Sequence, residues 1–558
     1  MLIREHIAEG VRRALAEARE RGLLPLASLP DVVVERPPRP ELGDFSLNLP
    51  LRLARSLRLN PLDIAHRLAP LIPRTGAIGE VSVAPPGFIN ITLRPSWLQE
   101  QVEVILQAGE GWGRLEIGKG QRVQVEFVSV NPTGPVHVGH TRGAVLGSTL
   151  ARVLAEAGYQ VVREYYVNDA GSQVDAFARS LWARYREALG LPASLPPDGY
   201  YGQYVVDLAR ELYAAFGDRL LPMPEGEALE VVREWGLERM LRWIREDLAS
   251  LGVGFDVWFS ERDLYRSSYY QKAMEILRQG GYLAEREGAV WFVSTALGEE
   301  KDTVLVRSNG LPTYFASDVA YHYHKFVVRG FDRVLNIWGA DHQGHVPRMR
   351  AVVQALGIDP QRLTIIITQM VTLKRGGETV RASKRKGEMV TLRELVDEAG
   401  PDACRYFFLA RSPEAHMEFD LDLATRQSQE NPVYYIQYAH ARMAGILRMA
   451  RERGVDSSGG DVRLLREPAE MDLVRRLILL PEVVASVARS LEPHHLPYYA
   501  LDLATAFHWF YDHHRVLTDD PALTKARLKL VEASRLVLAR TLALMGMSAP
   551  ERMERPPE

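Results

Sequence analysis

Two histidines three residues apart, His137 and His140, stand in the run Asn131-Pro132-Thr133-Gly134-Pro135-Val136-His137-Val138-Gly139-His140. The run falls between a stretch that reads as a strand (123–130) and one that reads as an amphipathic helix (143–157), with a second strand predicted over 161–167. Such a β-α-β unit predicts a parallel sheet with helices on its faces, which binds ligands outside the carboxyl ends of its strands. A helix start there offers free N–H groups and a positive dipole end to a phosphate. Pro132 and Pro135 keep the helix from starting early. Gly139 leaves room for a flat ring such as adenine against the backbone. On a first helical turn the two imidazoles share one face and can donate to a phosphate as charge develops on it. Taken alone, His-x-Gly-His fits a tight strand-to-helix turn about equally well, and a metal site is disfavoured because no third ligand is near in sequence.

The lysines are few and unevenly placed. There are nine, and Lys374, Lys384 and Lys386 fall inside thirteen residues. Ammonium groups are compact point charges that hold phosphates well, so this window is a candidate phosphate loop; a solvated hairpin would carry the same residues. The excess of arginine over lysine fits genome composition or heat adaptation equally.

The elements that must position these groups fall into three units. Residues 1–108 read as a small α+β domain, with a helix over 3–21, strands at 31–34 and 88–92, and helices near 47–57 and 61–71. Gly109, Gly111 and Gly113 mark a linker. Residues 115–400 read as a Rossmann-like α/β domain, with further strands at 290–293, 304–307, 334–338 and 364–368 and a mostly helical insertion over about 172–290. Residues 401–558 turn almost wholly helical, with bundle helices over 434–449, 471–487 and 525–544 and a flexible connection at 453–461. Of 558 residues, 46% are apolar and 25% charged, which excludes wholesale disorder and collagen-like repeats. A net charge of −3 neither demands nor excludes a nucleic-acid partner. The single cysteine, Cys404, rules out an intrachain disulfide and a Cys-rich zinc knuckle. No run of 18 apolar residues predicts a membrane span, and the first six residues lack signal-peptide character, so the expected address is the cytoplasm.

His137-Val138-Gly139-His140 after a first strand resembles the HIGH signature of class I aminoacyl-tRNA synthetases. Arg381-Ala382-Ser383-Lys384-Arg385-Lys386-Gly387, inside the lysine window, resembles their KMSKS loop, with Arg381-Ala382 in place of Lys-Met. The run Val125-Glu126-Phe127-Val128-Ser129-Val130-Asn131, the run Glu164-Tyr165-Tyr166-Val167-Asn168-Asp169-Ala170-Gly171, and Asn431-Pro432-Val433-Tyr434-Tyr435-Ile436-Gln437-Tyr438-Ala439-His440-Ala441-Arg442 resemble the arginyl-tRNA synthetase family. Leu42-Gly43-Asp44-Phe45-Ser46 resembles that family's N-terminal domain, so the likeness covers essentially the whole chain. The resemblance implies a ligase that joins arginine and ATP into arginyl-adenylate and then charges tRNA(Arg), with tRNA required even for the first step. Mg2+ is implied on the ATP phosphates, and a monomer that binds no membrane.

The resemblance also implies site residues. His137, His140, Lys384 and, as substitute for the missing first lysine, Arg381 would act in catalysis. ATP would lie against His137, Gly139, His140, Gly339, Asp341, Ser383 and Lys384. Arginine would be held by Glu126, Ser129, Asn131, His140, Tyr314, Asp318 and His342. A guanidinium needs carboxylates or ring faces, and Tyr314 and Asp318, four apart, would offer one of each on a single helix face. Two or three of Tyr434, Tyr435, Tyr438, His508, Trp509 and Tyr511 would stack on anticodon bases, the rest being core. Phe88-Ile89-Asn90 would face the outer corner of the tRNA. The rival readings are a different class I synthetase or nucleotidyltransferase, and a tRNA-binding paralogue without adenylation.

Overall fold

The computed structural model describes residues 2–380 and 389–554. Arg381, Ser383 and Lys384, expected at the ATP phosphates, lie outside the described residues.

The N-terminal unit packs the helix Ile3–Glu20 on a three-stranded antiparallel sheet in the order Phe45–Leu47, Phe88–Leu93, Ile78–Ala84. The strand expected at 31–34 does not form. Pro30, Pro37 and Pro38 bracket that stretch, and its only ladder contact is the single bridge from Glu35 to Ser46. Its place is taken by Ile78–Ala84, whose Val81 packs inward. The strand of Phe88-Ile89-Asn90 is central: Ile89 and Asn90 are buried, and Asn90 Oδ1 accepts from Ser46 Oγ at 2.8 Å, so these two side chains face the core and not a partner.

The helix Pro95–Ala108, within the span expected for this unit but not read as a helix, packs on the C-terminal bundle. Gln99 Nε2 donates to the carbonyl of Leu465 at 2.7 Å, and Trp112 Nε1 to that of Leu477 at 3.2 Å. Ion pairs join the first unit to the bundle as well: Asp44 with Arg475 at 2.6 Å, Glu5 with Arg489 at 2.8 Å, and Glu103 with Lys529.

The central domain is a parallel sheet. Its strands are β1 (Arg122–Glu126), β2 (Gln160–Val167), β3 (Val257–Ser260), β4 (Arg333–Gly339) and β5 (Leu363–Thr368), in the order β5-β4-β1-β2-β3. Chain order runs one way from β1 to β3 and the other way through β4 and β5. The switch point therefore lies between β1 and β4, where open α/β sheets place their ligands. Helix α1 (Val138–Glu156) follows β1 and is buried along most of its length. Two of the sequence expectations change here. The first strand stops at Glu126 because Val128 and Ser129 turn into the left-handed region, at φ 69° and 42°. The insertion expected over 172–290 ends sooner: three helices (Ser172–Ala188, Gln203–Phe216, Glu225–Ser250) carry it, and then β3 returns to the sheet edge. Four residues were too few to stand out against the surrounding helices.

The C-terminal bundle contains Pro432–Glu452, Pro468–Leu477, Leu480–Ser490, His495–His513 and Pro521–Met545. The single helix expected over 471–487 is two, broken where Pro481 opens the second. Arg405, fully buried, fastens the bundle to the sheet domain. Its guanidinium donates to Ser148 Oγ (2.9 Å) on α1, to the carbonyl of Leu251 (2.9 Å) at the insertion's edge, and to that of Met545 at the end of the last helix.

Candidate active site at the switch point

His137 caps α1. Its Nδ1 accepts from the backbone N–H of Gly139 at 3.2 Å, which places the ring proton on Nε2 and leaves that N–H free to donate. The His137 and His140 rings lie 3.8 Å apart between centroids, so the three-residue spacing does bring them to one face. A Cβ on Gly139 would stand 3.1 Å from the His137 ring, which accounts for the glycine between them. Burial, with His137 beside it, pushes His140 down to about 3, against a smaller upward pull from Asp341. Burial lowers His137 too. Both rings are thus neutral near pH 7, and each supplies one N–H. His140 Nδ1 is buried with no partner among the described residues, a polar atom left for something not yet bound.

Residues 390–392, just past positions 381–388, lie next to this turn. His137 forms a bridge with Thr391, the N–H of Val138 donates to the carbonyl of Val390 at 3.0 Å, and the N–H of Leu392 donates to that of Val136 at 2.8 Å. Arg142, one turn further along α1, donates to the carbonyls of Gln369 (3.1 Å), Ser412 (2.7 Å) and Ala415 (2.8 Å), which holds the approach to the other flank.

Across the switch point, Gly339 ends β4 and a 3-10 turn, Ala340–His345, leads into the helix Val346–Ala355. Asp341 is exposed and 3.3 Å from His342 Nε2. Its pull on His140 puts it within electrostatic reach of the helix start. His342 lies near Trp338 and His345, at 6.0 and 5.9 Å between ring centroids. No contact among the described residues joins it to the acidic groups below.

Those acidic groups form the second half of the site. Glu126 ends β1, and its Oε1 accepts from Ser129 Oγ at 3.1 Å, the left-handed turn having brought Ser129 back over the strand end. Ser129 Oγ in turn accepts from the N–H of Tyr166, and the Ser129 carbonyl accepts from Asn168 Nδ2 at 3.2 Å. Holding a β-branched residue, Val128, at positive φ is costly and is found mainly where function needs it. Asn131 sits at the rim, with Nδ2 on Gln173 at 2.5 Å.

Tyr314 opens helix α2 (Tyr314–Tyr323) and is 53% exposed; Asp318 lies one turn along on the same face. The Tyr314 hydroxyl stands where a Cβ on Gly171 (φ 91°) would come within 3.3 Å, so it overhangs the Asn168–Gly171 loop after β2. Burial, then Glu126 and Glu261, push Asp318 up to about 7, while Lys325 pulls it down.

Sequence reasoning missed Glu261 and Tyr166. Glu261 begins the short helix directly after β3, so it too stands at a carboxyl end of a parallel strand. It is 4% exposed; burial raises it, while hydrogen bonds with Ser317 and with the buried hydroxyl of Tyr166 lower it. Had 257–260 been read as a strand, its acid would have been a candidate. Three carboxylates therefore converge with one buried cation, Lys325, against them. Such an arrangement is short of positive charge and suits a ligand carrying one. Among the described residues no group of three or more His, Cys, Asp or Glu is arranged to hold a metal ion.

In the bundle, Arg442 lies over the rings of Tyr438 and Tyr511 at 4.8 and 4.6 Å. Trp509 is 59% exposed against His513, whereas His508 is buried on Tyr435. Of these rings Trp509 and Tyr511 are exposed, with Arg442 packed between Tyr511 and Tyr438.

Comparison with known proteins agrees across the chain. Residues 4–93 match the model described as the arginyl tRNA synthetase N-terminal domain, 101–409 that of the class I (R) tRNA synthetase catalytic domain, and 436–553 that of the DALR anticodon-binding domain. An arginine–tRNA ligase of Dehalococcoides mccartyi is 56% identical over 99% of both chains, and that of Heliobacterium modesticaldum 49% identical over 99% of both. The Thermus thermophilus arginyl-tRNA synthetase structure, at 24% identity, superposes with a TM-score of 0.78 over 99% of this chain and all of its own, and so shares the fold. With all three units matched in order and a relative 56% identical over 99% of both chains, the chain belongs to the arginyl-tRNA synthetase family, within class I.

Proposed function

We propose that the chain is an arginine–tRNA ligase that activates L-arginine with ATP and esterifies it to the 3'-terminal adenosine of tRNA(Arg), for translation. The observation that carries the arginine assignment is the pocket of Glu126, Glu261 and Asp318 facing the single cation Lys325 at the switch point. In this reading the guanidinium lies between Asp318 and Glu261 with Tyr314 closing one side, and the α-ammonium meets Glu126, with Ser129 and Asn131 alongside. The substrate carboxylate then points toward the start of α1. It attacks the α-phosphorus in line; a carboxyl–phosphorus bond forms, the bond to the bridging oxygen breaks, and pyrophosphate leaves. The neutral His137 and His140 donate N–H groups to the phosphate, Gly139 and Gly339 admit the nucleotide, and Asp341 takes the ribose. Lys384, Arg381 and Ser383 are assigned to the leaving phosphates on the sequence motif alone. Mg2+ arrives with ATP, held chiefly by phosphate and water. Trp509, Tyr511 and Arg442 are the proposed anticodon contacts. The enzyme acts as a monomer in the cytoplasm; among the described residues no helix is long and apolar enough to cross a membrane.

The direct test is charging of a total tRNA pool with each labelled amino acid in turn. Arginine alone should be esterified; charging of another amino acid, or of none, overturns the reading.

The pocket also gives a pH signature. Asp318, pushed up to about 7, is protonated below that pH, and binding a guanidinium requires the carboxylate, so binding expels a proton. The Michaelis constant for arginine should therefore rise about tenfold per pH unit below pH ~7 and level off above it. In the ligand-free protein the sign is the opposite. A raised folded-state pKa contributes stability that is fully present below the unfolded value of 3.8 and lost as pH rises through about 7. A flat arginine KM from pH 5.5 to 8 removes Asp318 from the guanidinium.

A further inference from the structure

Lys325 is fully buried, one of nine lysines, and sits in the π-helical turn His324–Val328 that continues α2. Its Nζ donates to Glu126 Oε2 at 2.5 Å and to Asn336 Oδ1 at 2.9 Å, and lies 4.1 Å from the Tyr321 ring centre. Asn336, on β4 and also fully buried, has its Nδ2 3.0 Å from His322 Nε2. His322 Nδ1 is 2.8 Å from the carbonyl of Asp318. These contacts admit one assignment of protons. Burial and Lys325 push His322 down to about 3, so its ring is neutral. Nδ1–H donates to Asp318, Nε2 accepts from the Asn336 amide, and the Asn336 oxygen accepts from Lys325. The side chains of Lys325, Asn336 and His322 are each hydrogen-bonded to the next, and buried networks so linked rigidify.

The chain has two ends, Glu126 and Asp318. Positions 318, 322 and 325 fall on one face of the helix, which the network ties to β1 through Glu126 and to β4 through Asn336. Tyr321 reaches the third strand: its hydroxyl donates to Glu164 Oε1 on β2, and Arg329, just past the π turn, pairs with the other oxygen of Glu164. The π turn, a local widening of the helix of the kind often found at functional sites, lies where Lys325 enters.

We propose that Lys325 is a specificity-determining positioning residue: by tying α2 to the strand ends it fixes the separation of Glu126 and Asp318, and so the length of amino acid that spans them. This rests on the assignment above of the α-ammonium to Glu126 and the guanidinium to Asp318. Lys325 is fully buried and its ammonium is taken up by protein groups, so its role in this reading is to position. It also takes up Glu126 Oε2, leaving Oε1, shared only with Ser129, for the ligand.

The probe is L-homoarginine, one methylene longer with both charged ends intact. Such a difference is ordinarily worth about 10–200-fold in a well-fitted pocket. The experiment measures tRNA(Arg) charging by the full-length chain and takes the ratio of the homoarginine inhibition constant to the arginine KM. Lys325→Met is expected to lower that ratio about tenfold while leaving the KM for ATP unchanged. Asn336→Ser, which keeps the Lys325–Glu126 pair and withdraws one anchor, should lower it about threefold and serves where Lys325→Met does not fold. A residue that only stabilises the domain would lower the melting temperature and leave the ratio alone, and an unchanged ratio in either folded variant overturns the proposal. Glu126→Gln and Asp318→Asn separate the two ideas. If both keep the wild-type arginine KM, the pocket assignment falls and this proposal with it. If they weaken arginine while Lys325→Met and Asn336→Ser keep the ratio, the proposal alone falls.

Discussion

Replacing Asp318 by asparagine is expected to cut kcat/KM for arginine by some hundreds to thousands, with the KM for ATP unchanged. The side chain keeps its shape and loses its charge, so a bound guanidinium is left facing one acid, Glu261, where it had two. Removing one partner of a buried ion pair costs roughly 3–5 kcal/mol, which is the size of the expected loss. Citrulline, uncharged and nearly isosteric, should lose far less, because discrimination is a difference between two affinities. The pH dependence of the arginine KM should flatten in the same variant, since the group expelling the proton is gone. A variant that still separates arginine from citrulline as the wild type does would move the guanidinium to Glu261 or Glu126.

The second large effect is expected at the start of α1. His140→Ala should slow single-turnover formation of arginyl-adenylate about 10²-fold or more, a usual loss for one donor to developing charge. Since burial and His137 hold His140 near 3, the donor is a neutral imidazole. The rate it supplies should therefore not vary with pH between 5 and 8, unlike the arginine KM. Binding of tRNA should hardly change. Wild-type activation by the alanine variant would exclude His140 from the chemistry.

Of the candidate site, the paired histidines were legible from their spacing and the other residues through the resemblance, and each group lies close along the chain. His137 and His140 share a turn, Tyr314 and Asp318 share a helix face, and Glu126 to Asn131 is one strand end. What stayed hidden was assembled by topology. Glu261 joins the pocket only because a four-residue strand returns to the sheet edge after three helices. Lys325 reads as a stray cation in an apolar helix until Glu126 and Asn336, 199 and 11 residues away, close around it. The left-handed turn at Val128 and Ser129 is invisible to propensity, since valine is among the residues least expected there. In the outer units the misses were of a different kind. The strand expected at 31–34 is bracketed by prolines and does not form, and Pro481, inside a single expected helix, marks a second helix start.

The contact between the first unit and the helical bundle has a consequence for synthesis. The backbone amide of Arg4 donates to Glu482, 478 residues further on, and Glu5, Asp44 and Glu103 find their cations at Arg489, Arg475 and Lys529. At about 5–20 residues per second a ribosome needs roughly 25–100 s to supply that distance. The small sheet shares one continuous apolar core with the bundle, so the face it turns to the bundle must wait through that interval in water. Carboxylates at Glu5 and Asp44 keep part of that face soluble and point it toward the basic partners Arg489 and Arg475. The molecule is thus completed by its end returning to its beginning, an order of assembly set by long-range charge as much as by the sheet between them.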